Sequence, residues 1–244
     1  TQVLKVLKDN GWNTLAITSP GENAGKSLTA TNLAISLSRE VNHTVMLVDL
    51  DLRQPSLHGM FDITVEKGLI DYLNDEATLE EVLVNPGFQR LVLLPGRALG
   101  KYSSEILSSP QMKSLVRDIS QRYAERIIIF DLPPLLRNDD ALMFTPTVDA
   151  TLMVVEDGVT TSDDVLRSLQ LLETFPNVGM VTARPFRTKE EYATATVAWA
   201  ESTPGVTVER GHFIPWEVFL EFDRSLGQSD DDIRAHYDST SDVR

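Results

Sequence analysis

The sequence predicts an α/β protein with a doubly wound, mostly parallel sheet, and two observations lead to this prediction. Short apolar runs of strand length alternate along the chain with segments whose apolar residues recur at helical spacing. Three of these apolar runs also end at a glycine-rich turn or at an aspartate, as strands do at a ligand-binding edge. Alternation of this kind is typical of a parallel sheet with helices on both faces.

Six apolar runs are expected to form the strands, and four segments between them are expected to be helical. The strands are predicted at 15–18, 45–48, 91–94, 127–130, 151–155 and 178–181. The helices are predicted at 28–41, 79–84, 109–123 and 162–174, where apolar residues fall at i, i+3 and i+4. Ser162 is expected to begin the last helix, because the acidic residues that follow it are favoured at the positive end of a helix dipole.

The composition is that of a folded enzyme domain. The chain has 244 residues, of which 42% are hydrophobic, enough for a sizeable core in one large domain or in one domain with an appendage. It contains no cysteine, which excludes a disulfide framework and a thiolate metal site and fits a reducing cytoplasm. No apolar stretch approaches the roughly 18 residues that span a bilayer, so we expect no direct membrane insertion.

The charge of the chain restricts its partners. The formal net charge is −14, whereas binding to a phosphate backbone requires a basic face. We therefore expect no nucleic-acid partner and look instead for small molecules or proteins. If the protein works at a membrane, we expect a partner protein to hold it there.

A glycine-rich segment, SPGENAGKS at 19–27, lies between the first predicted strand and the first predicted helix. A strand that ends at such a turn leaves several backbone N–H groups pointing into one concavity, and the next helix adds the positive end of its dipole. The match to G-x-x-x-x-G-K-[ST] is imperfect because Pro20 occupies the first glycine position. Taken alone, 25–27 could be an ordinary turn that caps a helix. The predicted nucleotide-binding residues are Pro20, Gly21, Glu22, Asn23, Ala24, Gly25, Lys26, Ser27 and Leu28.

Carboxylates follow two other predicted strands. Asp49 and Asp51 come at the end of the strand at 45–48, and Asp131 directly follows the strand at 127–130. Because ligands bind outside the carboxyl ends of parallel strands, these aspartates should meet the glycine-rich loop at one edge of the sheet. Carboxylates beside a triphosphate loop imply a metal ion, and hard oxygen ligands suit Mg²⁺. The sequence therefore predicts a site for ATP or GTP with Mg²⁺.

Together, 19–27, 45–55 and 127–134 resemble the Walker A, Walker A′ and Walker B segments of the bacterial tyrosine kinases, the BY-kinases. Within that family the chain is most similar to the autokinases associated with exopolysaccharide export and exosortase systems. The resemblance extends over about 1–181, and its shorter matches lie at 10–13, 68–73, 93–96, 104–110 and 139–140. Position 21 is glycine, where the partitioning and cell-division-site ATPases carry a signature lysine. That difference favours the kinases.

The resemblance implies ATP and Mg²⁺ as cofactors and gives a role to each site residue. Lys26 would contact the β- and γ-phosphates, Ser27 would bind Mg²⁺, and Asp131 would hold a metal-bound water. Asp49 and Asp51 match the two Walker A′ aspartates, of which one orients Mg²⁺ and the other accepts the proton of the tyrosine. We choose Asp49 as the base and also place it with Ser27 and Asp131 at the metal. The expected catalytic residues are Lys26, Asp49, Asp51 and Asp131.

Plainer explanations exist for some of these residues. Asp131 could cap the turn at 133–134, and Asp51 could pair with Arg53 to hold its loop. The acidic pair at 139–140 could be a helix N-terminus and nothing more, because aspartate is common at a helix start.

Two features depart from the family pattern. The family often carries a terminal cluster of tyrosines, but here the tyrosines are isolated, so autophosphorylation of a tail is not supported; Tyr237 is the most accessible candidate. The tyrosines are Tyr72, Tyr102, Tyr123, Tyr192 and Tyr237. After the strand at 178–181 the family expects an asparagine that contacts the base, and this chain has Thr182 instead.

The sequence thus predicts a P-loop nucleotide-binding and kinase domain at 1–181, an appendage of unknown role at 182–227 and a disordered acidic tail at 228–244. The functional hypothesis is an Mg-ATP-dependent tyrosine autokinase that regulates exopolysaccharide biosynthesis or export. It would be cytoplasmic, held at the inner face of the membrane by a chain-length or export protein that activates or docks it, and it could form homo-oligomers. The alternatives are a non-kinase ATPase switch and a nucleotide-binding regulatory scaffold.

Overall fold

The strands form at the predicted apolar runs. The structure is a computed structural model, which describes residues 2–40, 42–99, 102–122, 125–156, 158–175 and 177–183. Six strands lie at Thr14–Thr18 (β1), Thr44–Asp49 (β2), Leu91–Leu94 (β3), Arg126–Asp131 (β4), Ala150–Glu156 (β5) and Val178–Ala183 (β6). All six predicted strands are confirmed, and their ends differ from the predicted ones by at most two residues.

Nine α-helices are present in the described part of the chain, and four of them correspond to the predicted ones. The helices are α1 (Gln2–Asn10), α2 (Lys26–Ser38), α3 (Leu57–Met60), α4 (Leu69–Leu73), α5 (Leu79–Val82), α6 (Ser103–Leu107), α7 (Pro110–Arg122), α8 (Asp140–Phe144) and α9 (Ser162–Leu172). Helix α9 begins at Ser162 as predicted, and the side chain of Thr161 caps it by accepting a hydrogen bond from the Asp164 N–H. Helix α2 begins two residues before the predicted start, because the phosphate loop ends at Gly25.

The sheet has the strand order β3-β2-β4-β1-β5-β6, and every strand pair is parallel. Strand β4 lies between β2 and β1, so the carboxyl ends of these three strands are neighbours. In register, Asp131 of β4 is level with Asp49 of β2 and with Ile17 of β1. This arrangement brings the two aspartate-bearing strand ends next to the loop that follows β1.

Helices cover both faces of the sheet, as the doubly wound prediction requires. Along β2, Met46 and Val48 pack into a cluster with apolar residues of α4 to α9, whereas Val45 and Leu47 pack into a second cluster with α1, α2 and α3. Successive side chains of a strand point to opposite faces, so a strand covered on both sides is apolar throughout. In helix α2 all residues except Leu28 and Ser36 are buried.

Three predictions lie wholly or partly outside the described residues. Thr182 and Ala183 extend β6, but the rest of the predicted appendage and the whole acidic tail are outside. Tyr123, Tyr192 and Tyr237 are outside as well. Among the residues that are described, no helix is both long enough and apolar enough to span a bilayer.

Candidate active site

The loop between β1 and α2 has the backbone conformation of a phosphate-binding loop. Asn23 and Gly25 adopt positive φ angles of 61° and 84°, in the left-handed region that glycine and asparagine tolerate best. The Gly25 carbonyl accepts a 2.8 Å hydrogen bond from the Thr29 N–H, which opens helix α2 directly behind the loop. The N–H groups at the start of a helix have no partner within the helix, so they can bind an anion.

Pro20, which replaces the first consensus glycine, does not disturb the loop. Its carbonyl accepts a hydrogen bond from the Leu136 N–H at 3.1 Å, and the Ser19 carbonyl accepts one from the Leu135 N–H at 2.8 Å. These bonds join the loop to the segment that follows β4. A position that supplies only its carbonyl can be proline, because proline lacks only the N–H.

Lys26 lies buried at the centre of the acidic residues. Its Nζ atom is 2.8 Å from Asp51 Oδ2 and 3.9 Å from Asp131 Oδ1, and it donates a 3.2 Å hydrogen bond to Ser27 Oγ. Burial alone would lower the pKa of Lys26, but the charges of Asp131 and Asp51 outweigh burial and raise the pKa above its ordinary value. The ammonium group therefore stays charged and provides a fixed positive centre in the site.

Asp51 binds Lys26 and organises its own loop. Besides the contact to Lys26, its Oδ1 atom accepts a hydrogen bond from the Gln54 N–H at 3.1 Å. The alternative that Asp51 pairs with Arg53 is wrong, since Arg53 binds another carboxylate.

Asp49 is fully buried and fixes the segment that follows β2. Its Oδ2 atom accepts hydrogen bonds from the Ser56 and Leu57 N–H groups, each at 3.0 Å, and its Oδ1 atom accepts one from the Asp51 N–H at 3.2 Å. Burial and then the charge of Asp131 raise the pKa of Asp49 to about 8, although the Leu57 N–H and the Lys26 charge act in the opposite direction. A carboxyl group with this pKa can gain or lose a proton near neutral pH.

Asp131 is fully buried, and in the described part of the chain neither of its carboxylate oxygens has a hydrogen-bond partner. Burial raises the pKa of Asp131 to about 6, while the Lys26 charge and the nearby Ser27 hydroxyl lower it. The alternative that Asp131 caps the turn at 133–134 is wrong, because capping would give it a backbone donor. A buried carboxylate without donors is costly, and such groups are commonly explained by a ligand or an ion.

The residues at this edge fit Mg²⁺ bound together with a nucleotide. No group of three or more acidic or histidine side chains in the described part of the protein is arranged to hold a metal by itself. Mg²⁺ in nucleotide sites, however, takes only one or two protein ligands and completes its octahedron with phosphate oxygens and waters. The two carboxylate oxygens of Asp131, which accept no hydrogen bond from the described residues, and the hydroxyl of Ser27 suit that role.

An ion pair between the partly exposed Arg53 and the buried Asp140, which the sequence did not reveal, lies behind the Walker A′ segment. Arg53 donates from Nε to Asp140 Oδ2 at 2.8 Å and from Nη2 to Oδ1 at 3.3 Å, and Ser103 donates from Oγ to Oδ2 at 2.6 Å. Burial would raise the pKa of Asp140, but the bonds from Arg53 and Ser103 outweigh it and lower that pKa. Asp140 begins α8, yet it is more than a favourable helix start: it joins α8 and α6 to the segment that carries Asp51. In the sequence, the acidic pair at 139–140 was the only feature that drew attention to Asp140.

The segment after β3 supports the same region from the other side. A Cβ atom on Gly96 would lie 2.8 Å from the carbonyl oxygen of Asp49, and the Leu99 N–H donates to the Leu52 carbonyl at 2.7 Å. Close by, a Cβ atom on Gly68 would lie 2.6 Å from the Pro95 carbonyl oxygen. These close approaches explain why glycine stands at both positions.

Known proteins share this combination of loop and sheet. The profile of the AAA domain family matches residues 14–179. Tyrosine-protein kinase YwqD of Bacillus subtilis (strain 168) is 30% identical over 166 residues, a match that covers 68% of this chain and 69% of the relative. The chain belongs to the bacterial tyrosine-protein kinases. The resemblance found in its motifs is thereby confirmed.

Some other bacterial tyrosine kinases are much longer than this chain. Tyrosine-protein kinase ptk of Acinetobacter johnsonii is 29% identical over 161 residues, which cover 66% of this chain but 22% of that protein. The solved kinase domain of the Escherichia coli tyrosine kinase ETK aligns with a TM-score of 0.69 and 26% identity, over 76% of this chain and 72% of that structure. This chain thus matches the kinase domain of such relatives.

The ATPases considered as an alternative have the same fold. The septum site-determining protein MinD from Pyrococcus horikoshii, solved with Mg-ADP, aligns with a TM-score of 0.60 and 20% identity over 75% of this chain and 76% of that one. This likeness concerns the fold alone. The P-loop fold that all these proteins share makes the chain a nucleotide-binding protein.

Proposed function

We propose that this chain uses ATP and Mg²⁺ to phosphorylate tyrosine. The observation that carries the proposal is the convergence of Lys26, Asp49, Asp51 and Asp131 at the carboxyl ends of neighbouring strands, directly beside the phosphate loop. Membership of the bacterial tyrosine kinases indicates the type of acceptor. Phosphoryl transfer requires in-line positioning and neutralised charge more than covalent catalysis, and this group of side chains supplies both.

The metal ion would be held by Ser27 and Asp131, with Asp49 in register beside Asp131. A Mg²⁺ ion held by these residues would supply positive charge against the charge that develops on the phosphates during transfer. The support for Asp131 is its pair of buried oxygens without a hydrogen-bond donor in the described part of the chain.

Lys26 would bind the β- and γ-phosphates. Its Nζ atom lies 2.8 Å from Asp51, so the phosphates would compete with that carboxylate for the ammonium group. Residues 20–28 would surround the phosphates with their backbone N–H groups.

Asp49 is the proposed base. The tyrosine oxygen would form a bond to the γ-phosphorus while the bond from that phosphorus to the β–γ bridging oxygen breaks and ADP leaves. The phenolic proton would pass to Asp49, whose carboxyl group lies at the end of β2 in register with Asp131. General-base assistance is typically worth about two to four orders of magnitude in rate.

We further propose that the kinase regulates the biosynthesis or export of an exopolysaccharide. In this proposal a chain-length or export protein in the membrane activates or docks it on the cytoplasmic side, and copies of the chain can associate. These features rest on the motif resemblance to the exopolysaccharide-associated autokinases.

The test is incubation of the purified protein with Mg²⁺ and γ-labelled ATP, scoring phosphotyrosine and free phosphate separately. We expect phosphotyrosine from the wild type, loss of phosphotyrosine in Lys26→Ala and retention in Asp139→Asn, which changes an exposed aspartate that makes no capping hydrogen bond. Free phosphate without phosphotyrosine would instead favour the ATPase switch. ATP binding with neither product would favour the regulatory scaffold.

A further inference from the structure

Tyr102 is a large exposed side chain near the candidate active site. It is 65% exposed, and its carbonyl accepts a hydrogen bond from the Ile106 N–H at 3.3 Å, so it caps the start of α6. The other tyrosine in the described part of the chain, Tyr72, is half-buried and packs against the core. Tyr102 is therefore the accessible phenol of the described residues.

The residue after Tyr102 connects this position to the site. Ser103 is fully buried and donates a 2.6 Å hydrogen bond to Asp140, which binds Arg53 at 2.8 Å. Arg53 lies two residues after Asp51, the carboxylate that contacts Lys26. The backbone that carries Tyr102 is thus held at the nucleotide-binding edge of the sheet through a short series of polar contacts.

The two neighbouring side chains differ completely in exposure. Ser103 is buried against Asp140, whereas Tyr102 is largely in solvent. An exposed ring next to a fixed backbone is accessible to the site of a second molecule, and it need not be pulled out of the core first.

We propose that Tyr102 is a phosphorylation site, modified in trans by a second copy of this chain. The proposal rests on the proposed kinase function and names an acceptor for it. The phenolic oxygen of Tyr102 attacks the γ-phosphorus of ATP bound to the second copy, the β–γ bridging bond breaks, ADP leaves, and the phenolic proton goes to the base of that copy. The product carries an added charge of about −1.5 to −2 at neutral pH beside α6.

The experiment separates the molecule that supplies the site from the one that supplies the acceptor. Wild-type protein with γ-labelled ATP and Mg²⁺ is mixed with a tagged Lys26→Ala acceptor carrying Tyr102, Tyr102→Phe or Tyr72→Phe, and the labelled residue is located by mass spectrometry. We expect label on Tyr102 of the acceptor, loss of most label with Tyr102→Phe, and retention with Tyr72→Phe.

Two further measurements keep the outcomes distinct. Wild type, Tyr102→Phe and Tyr72→Phe are compared directly for self-labelling, because substitution of the exposed Tyr102 does not disturb the core as Lys26→Ala can. A synthetic glutamate–tyrosine copolymer serves as a general acceptor. A labelled copolymer with no label on Tyr102 overturns this inference and leaves the kinase proposal standing, whereas no labelled tyrosine in any acceptor overturns both. Labelling of Tyr102 in the wild type alone, at a rate per molecule that does not change on dilution and with no label on the Lys26→Ala acceptor, overturns modification in trans.

Discussion

Asp49 and Asp131 occupy register-paired positions on the neighbouring strands β2 and β4, and both are fully buried. They differ in how they are satisfied: Asp49 accepts three backbone hydrogen bonds, whereas Asp131 has no hydrogen-bond donor in the described part of the chain. Two buried carboxyl groups at one strand edge, with one lysine close by, hold protons more strongly than carboxyl groups in water do. This relationship has consequences for pH and for metal binding.

The first prediction concerns stability in the absence of Mg²⁺ and nucleotide. The pKa of Asp49 is about 8 in the folded protein, against 3.8 for an ordinary aspartate, so between pH 4 and pH 8 the folded state binds more protons than the unfolded state. The free energy of unfolding should therefore fall as pH rises through this window, with a slope on the order of 1 kcal/mol per pH unit. Urea unfolding at several pH values measures the slope.

Asp49→Asn should reduce this slope, most clearly between pH 6 and pH 8, because below about pH 6 Asp131, whose pKa is raised to about 6, still contributes. Asp139→Asn is the matched control, since Asp139 is exposed, and it should leave the slope unchanged. An equally steep slope in Asp49→Asn and the wild type would contradict the assignment to Asp49.

The second prediction concerns Asp131 and Mg²⁺. Asp131→Asn removes the charge from the two buried oxygens, which have no donor among the described residues, so the protein should still bind ADP but lose the additional stabilisation that Mg²⁺ gives. In the wild type, a ligand at about 100 times its dissociation constant stabilises by about 2.7 kcal/mol. Thermal unfolding with ADP, with and without Mg²⁺, measures both effects. A normal response of Asp131→Asn to Mg²⁺ would place the metal on other residues.

The sequence was sufficient to predict the sheet and to bring the candidate site residues together at one of its edges. Strands β2 and β4 are buried on both faces and are apolar along almost their whole length, which makes them easy to recognise. Because parallel strands end at one edge, Asp49 and Asp131 could be placed together without knowledge of the strand order. Their exact pairing required that order, since β4 lies between β2 and β1.

Most of the short helices and the ion pair behind the site could not be predicted. Of the five helices with four or five residues, only α5 was predicted, because so short a helix shows little helical repeat of apolar residues; the missed ones are α3, α4, α6 and α8. The contact between Arg53 and Asp140 joins residues 87 positions apart in the chain, and no local pattern encodes it. The sequence therefore suggested Asp51 as the partner of Arg53, whereas the fold brings Asp140 closer.

The third prediction concerns this ion pair. Asp140→Ala leaves Arg53 and the buried Ser103 hydroxyl without their acceptor. Because Arg53 is partly exposed, solvent reduces the loss, and we expect destabilisation of about 1–3 kcal/mol. The segment that carries Asp51 should also become less ordered, so kcat for tyrosine phosphorylation should fall more than the affinity for ATP.

Asp140→Asn should recover part of both losses, because an amide oxygen still accepts a hydrogen bond. The control is Lys67→Ala, which breaks a 3.8 Å ion pair with Glu81 between two exposed side chains and should change stability by less than about 1 kcal/mol. Equal effects of Asp140→Ala and Lys67→Ala on kcat would argue against a positioning role for Asp140.

The fourth prediction concerns the close approach of Gly96 to Asp49. A Cβ atom at position 96 would lie 2.8 Å from the Asp49 carbonyl oxygen, and the contact is with backbone, which cannot rotate away as a side chain can. Gly96→Ala should therefore push the segment after β3 away from the Walker A′ segment, with a cost of about 1–3 kcal/mol in stability and a lower kcat.

Gly59→Ala is the matched control, because nothing lies within 4 Å of its Cβ position in α3 and alanine favours a helix. Thermal unfolding and phosphotyrosine assays on both variants test the idea, and a Gly96→Ala protein as stable and active as Gly59→Ala would mean that the segment after β3 does not position Asp49.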